Sequence, residues 1–237
     1  VARRRNRPSS FPTWVILIAL GILIGYGWNY YNQLQSGKLQ SVLPARVDET
    51  TARALHRHTV AIISGHHGFD TGALCNDGLT EMEVNWEVSR RVVQLLKGTG
   101  TRTLLLDEYD KRLDGLRADV LISIHADSCV NLSGFKVARW QQSPFPARDD
   151  RLVQCLATRY AARTGLSFDK DTVTEDMTLY HAFRKVDPHT AAAIIEIGYL
   201  GGDRILLTQK PQIVATGIVE GIACYFERPT PTAPPPK

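Results

Sequence analysis

With 237 residues and 43% hydrophobic content, the chain carries enough apolar side chains for one ordinary core, which leaves no room for a second full domain once the ends are set aside. The net charge of +4 is accounted for by Arg3, Arg4, Arg5 and Arg7, all ahead of the first apolar stretch. The rest of the chain is balanced and offers no basic surface for nucleic acid.

In chain order, residues 1–10 form a basic N-terminus. Residues 11–28 (FPTWVILIALGILIGYGW) contain no charge and are followed by Tyr30 and Tyr31. The stretch is close to the roughly 18-residue minimum for a membrane helix and has aromatic residues near its ends. It is expected to be a single-pass transmembrane anchor in the cell membrane, with the arginines in the cytoplasm and everything after Trp28 outside. A cleavable signal peptide is the alternative, but no small-x-small site follows Trp28. Residues 29–57 are polar and irregular and read as a linker, with room for a short helix near its end. The proline-rich residues 228–237 read as an extended tail.

Between these ends, residues 58–227 alternate strand-like and helix-like segments. Strands are predicted over 59–64, 102–106, 119–125, 134–140 and 192–197. Helices are predicted over 81–97, 149–163 and 211–226, the last with Pro211 in its first turn. The expected fold class is α/β: a single three-layer α/β/α domain with a mostly parallel or mixed central sheet, preceded by one N-terminal transmembrane helix. In such sheets, sites form beyond the C-terminal ends of the strands.

Three apolar runs end in or carry polar groups that belong at such a site. The first runs into Gly65-His66-His67-Gly68 and then Asp70; VLISIHADS delivers His125; AAAIIEIGYL delivers Glu196. The segment LTEMEVN opens a helix with two carboxylates. Thr80 and Glu83 have capping-box spacing, so Glu83 has a structural role, whereas Glu81 has none. At the first helical position Glu81 could turn back to join two imidazoles. Two histidines and one carboxylate, with a position left for water, are a ligand set for catalytic zinc (Zn2+). Asp70 and Asp127 read either as groups that orient the imidazoles or as turn formers. His181 and His189 precede the Glu196 strand and read as substrate-facing or merely exposed, and Arg184 is a candidate ion-pair partner for Glu196. No C-x-x-C pair exists among the four cysteines. Cys75 and Cys129 each follow a ligand loop and would bridge in an exported domain, while Cys155 and Cys224 read as core residues.

Taken together, GHHGFDTGA, LTEMEVN with its helix, SIHAD and IIEIGYL resemble, in order and approximate spacing, the zinc-dependent N-acetylmuramoyl-L-alanine amidases that cut bacterial peptidoglycan. The resemblance runs from about residue 59 to 226. It implies that His66, Glu81 and His125 hold zinc, that Glu196 is the catalytic carboxylate, and that the substrate is the amide between N-acetylmuramic acid and L-alanine. His67 stands where the family usually has glycine and competes as a ligand, though the match puts His66 first. The segment 107–119 is shorter than usual, and Gly201-Gly202-Asp203 replaces the more usual Ser-Asn. A zinc peptidase acting on exported peptides and a non-catalytic wall-binding module of the same fold are the competing classes. No residue points to a regulatory protein, and that partner stays open.

Overall fold

The computed structural model describes residues 47–227. The expected anchor at 11–28, residues 29–46 of the linker and the tail at 228–237 lie outside the described residues. Among those described, no helix is long and apolar enough to cross a membrane.

The elements are α1 (Glu49–Leu55), β1 (Thr59–Ser64), α2 (Glu81–Gly98), β2 (Arg102–Leu106), β3 (Val120–Asp127), β4 (Lys136–Ala138), α3 (Pro146–Thr164), α4 (Glu175–Thr178), β5 (Ala191–Tyr199), α5 (Arg204–Gln209) and α6 (Pro211–Phe226). The end of the expected linker is part of the domain. Asp48 caps α1 by accepting from the backbone of Thr50 and Thr51, and Leu55 is fully buried in the main core. Strand β4 is shorter than its sequence pattern, and α3 begins earlier, at Pro146, where a missing N–H costs nothing.

Strand order is β2-β1-β3-β5-β4, with β1–β2, β1–β3 and β3–β5 parallel and β4 antiparallel to β5. The inner strands are buried on both faces, as their near-continuous apolar runs require. The chain leaves β1 for β2 on one side and returns to β3 on the other. A crevice therefore opens between the C-terminal ends of β1 and β3.

The two faces of the sheet are covered differently. Val60, Ile62, Ile122, Ile124 and Ile195 pack against α1, α2, α3 and α6, through Leu55, Val88, Leu156 and Ile218 among others. Ala61, Ile63, Leu121 and Ile194 face Leu113 and Phe183 from 3-10 turns, Val186 from the loop that follows Phe183, and Met177 from the four-residue α4. The expected second layer of long helices is corrected: all of them lie on one face. Neither connection on the other face carries an uninterrupted helical pattern, because Gly115 (φ +71) breaks the first and Pro188 the second. His125 shares its strand face with Leu121, and Glu196 with Ile194, so both belong to this thinly covered side.

Two disulfides are present. Cys75–Cys129 joins the loop before α2 to the loop after β3. Cys155–Cys224 ties α3 to α6, which corrects the reading of these two as plain core residues: the helices pack side by side and bring their Cα atoms to 5.6 Å. Replacing Cys155 and Cys224 together by alanine should cost about 2–4 kcal/mol of stability. Thermal melting checks this, and a reductant should lower the Tm of the parent but not of the variant through this bridge.

Candidate metal centre

Strand β1 ends at Ser64 and the chain turns at once. His66 adopts φ +65, a left-handed conformation usually left to glycine. Its carbonyl accepts from the N–H groups of Phe69 and Asp70 at 3.0 and 3.1 Å. Asp70 Oδ1 lies 2.5 Å from His66 Nδ1, which fixes the ring and leaves Nε2 3.1 Å from Glu81 Oε2. Asp70 thus orients an imidazole.

Glu81 is the first residue of α2, whose capping box is complete: Thr80 Oγ1 accepts from Glu83 N–H, and Thr80 N–H donates to Glu83 Oε2. With Glu83 engaged there, Glu81 turns inward and is 6% exposed. Its carboxylate accepts from Ala73 N–H, Ala126 N–H and Asn85 Nδ2 at 3.2, 3.3 and 3.2 Å. Oε1 stands 3.1 Å from His125 Nδ1. One ligand atom from each of His66, Glu81 and His125 lies within 4.8 Å of the others.

Electrostatics fit the same purpose. Burial pushes the Glu81 carboxyl up, but hydrogen bonds with His125 and His66 outweigh it and hold the group well below the usual carboxylate range. Burial lowers His125, yet its bonds to Glu108 and Glu81 raise it to about 10. His66 is raised as well, chiefly by Glu81. One carboxylate stabilising positive charge on two imidazoles is a centre suited to a dication, and the donor set of two nitrogens and one oxygen fits zinc.

Glu196 sits on β5 opposite His125 in register, with Lys136 of β4 opposite it on the other side. Its Oε2 is buried and has no hydrogen-bond partner among the described residues. Burial raises its carboxyl to about 7; His125 and Lys136 pull it down, while Glu81 and Asp127 push it up. Arg184 is not its partner and instead lines a separate cavity with Trp140 and Arg148.

Residues 60–224 match the family model described as N-acetylmuramoyl-L-alanine amidase. The chain belongs to the N-acetylmuramoyl-L-alanine amidase family. It is a hydrolase of the amide between N-acetylmuramic acid and L-alanine in bacterial peptidoglycan. The uncharacterised protein YqiI of Bacillus subtilis is 27% identical over 191 residues, which span 75% of this chain and 89% of that protein. Among solved structures, the amidase Ami1 of Mycobacterium smegmatis superposes with a TM-score of 0.59 at 18% identity, covering 73% of this chain and 98% of that one. AmiC2 of Nostoc punctiforme gives 0.54 at 22% identity, covering 72% and 98%. These two show the shared fold.

Several residues of this amidase fall outside the cluster. His67 turns away to Asp107, with Nδ1 2.6 Å from Oδ1, and stacks on Trp86 at 3.8 Å. Asp127 pairs with Lys136 rather than with a histidine. His189 stays exposed beside Asp187. Sequence reasoning missed Glu108, Tyr180 and Lys136, all buried around the site. The signal for Glu108 was there: an acid just past the C-terminal end of a predicted strand.

Gly72 lies against two of the ligands. A Cβ there would lie 2.6 Å from Glu81 Oε2 and 2.7 Å from His66 Cδ2, at φ +59. Overpacking of about 1–3 kcal/mol falls directly on two ligands, so Gly72→Ala should weaken zinc binding roughly 10- to 100-fold, as read by chelator competition.

Proposed function

We propose that this amidase works with zinc held by His66, Glu81 and His125, and with Glu196 as the group that moves the proton. The observation that carries this reading is the convergence of three donors, from the turn after β1, from α2 and from β3, beside half-buried Glu196, whose Oε2 is buried without a partner among the described residues. Zinc held there would supply Lewis acidity to the scissile carbonyl and the attacking water. Glu196 accepts a proton from that water and returns it to the departing amine of L-alanine. A carboxyl lifted to about 7 by burial can serve both as base and as acid near neutral pH. Of the three ligands, His66 is the one partly exposed, so substrate would reach the centre from its side of the crevice between β1 and β3.

The uncharged segment 11–28, preceded by four arginines, supports placement of the domain on the outer side of the cell membrane, where peptidoglycan lies. The test is mass spectrometry of peptidoglycan digested by the zinc-loaded full chain. Stem peptides with a free L-alanine amino terminus are expected; cleavage only between later stem residues would make the protein a zinc peptidase, and binding without release would make it a wall-binding module.

A further inference from the structure

Behind the two histidines lies a third carboxylate that this chemistry does not use. Glu108, two residues past β2, is 5% exposed. Its Oε2 accepts from the His66 N–H at 2.9 Å and stands 3.4 Å from His125 Nε2. Its Oε1 accepts from the Tyr180 hydroxyl and lies against His181 Nε2, both at 2.8 Å. The Tyr180 oxygen in turn lies 3.0 Å from Ser123 Oγ, on the same strand as His125. One buried carboxylate therefore touches the β1 turn, β3 and the turn at 180–184.

We propose that Glu108 is the positioning residue of the metal centre, setting which nitrogen of His125 is presented to zinc and fixing the spacing between His125 and His66. The proposal rests on the reading of His66, Glu81 and His125 as the ligands. A neutral imidazole carries one N–H, and its place is set by the hydrogen bond the ring makes. Both edges of the His125 ring face a carboxylate: Nδ1 looks at Glu81 and Nε2 at Glu108. When zinc displaces the Nδ1 proton, the remaining proton stays on Nε2, which faces Glu108 Oε2 at 3.4 Å and has no nearer partner among the described residues. Without Glu108, the proton moves to Nδ1, bonds to Glu81 and blocks the donor atom.

The surroundings are built for this. Gly65 lies so close to the ring that a Cβ would come within 2.6 Å of Nε2, so the ring is backed by main chain and cannot swing away. The grip of Oε2 on the His66 N–H also holds a residue whose φ of +65 would otherwise relax. The cost of burying an anion is offset by three donors, from Tyr180, His181 and the His66 backbone.

The test compares the full chain, purified in mild detergent, with its Glu108→Gln variant, which keeps the size of the side chain. Zinc affinity is measured by competition with a chromophoric chelator, and the visible spectrum is recorded with cobalt(II) in place of zinc. Glu108→Gln is expected to raise the zinc Kd about 10- to 100-fold and to shift the cobalt bands, with the fold retained by circular dichroism. A Kd within twofold of the parent and an unchanged cobalt spectrum would overturn the proposal while leaving the ligand reading intact. A parent that binds no zinc overturns the ligand reading and the proposal with it. Should Glu108→Gln fail to fold, Tyr180→Phe carries the test: loss of the hydroxyl that aims Oε1 should raise the Kd about two- to tenfold, and no change refutes the role.

Discussion

Glu196→Gln should leave zinc bound and nearly stop turnover: kcat on peptidoglycan is expected to fall about 10²- to 10⁴-fold, with zinc stoichiometry and affinity unchanged. The substitution keeps the volume of the side chain and removes only its ability to take a proton. Because Oε2 has no hydrogen-bond partner among the described residues, no such contact of that atom is lost with the charge. In the parent, the ionised form is the base and the carboxyl lies near 7 without metal, so kcat/KM should rise with pH through an acid limb at or below 7, since zinc's charge pulls the value down. The variant should lose that limb. Stability moves the other way. A carboxyl raised from 4.5 to about 7 on folding holds its proton more tightly in the folded chain; the stabilisation is full below about 4.5 and is lost as pH rises through about 7. Metal-free Glu196→Gln should therefore melt above the parent at pH 8 and level with it at pH 4. A loss of activity of only a few fold would remove Glu196 from the reaction.

The parts of this molecule that could be read from sequence are those in which local pattern and tertiary role coincide. Strand β1, whose apolar run is buried along almost its whole length, and helix α2, with its Thr80–Glu83 capping box, state their structure in their own residues. That same box separated Glu81 from Glu83: one carboxylate was already explained by backbone donors, and the other faces the two histidines. The place of Glu108 just past β2 was legible, but its role was not. Its role depends on Tyr180 and His181, 72 and 73 residues further on, and on the sheet order that sets β2 beside β1. The pairing of Cys155 with Cys224 was hidden for the same reason, since it follows from two helices packing side by side. The absent second helical layer is a different case. The segments around Gly115 and Pro188 show no helical period, and the expectation of covering helices came from the alternation of strands and helices elsewhere rather than from those residues.

Glu81→Gln should produce the opposite pattern from Glu196→Gln, removing zinc and, through that loss, activity. Taking one partner out of a buried charged cluster costs about 3–5 kcal/mol, which corresponds to a zinc affinity lower by roughly 10²- to 10³-fold or more. The protons in the centre supply a second readout. In the metal-free parent, His66 is raised and His125 reaches about 10, each held protonated in part by Glu81. The sign follows: with His125 lifted to about 10, protons compete with zinc at pH 7, so zinc binding there must release at least one proton, and affinity must weaken as pH falls. Calorimetry in buffers of different ionisation enthalpy measures that release directly. Glu81→Gln removes the main cause of the His66 shift and one of the causes at His125, so proton release should shrink together with affinity. Excess zinc then divides the two roles. It should restore part of the activity of Glu81→Gln, where the metal is merely held weakly, and none of that of Glu196→Gln, where the metal is in place and the proton acceptor is gone. Restoration of both variants, or of neither, would mean that holding the metal and moving the proton are not divided between these two carboxylates.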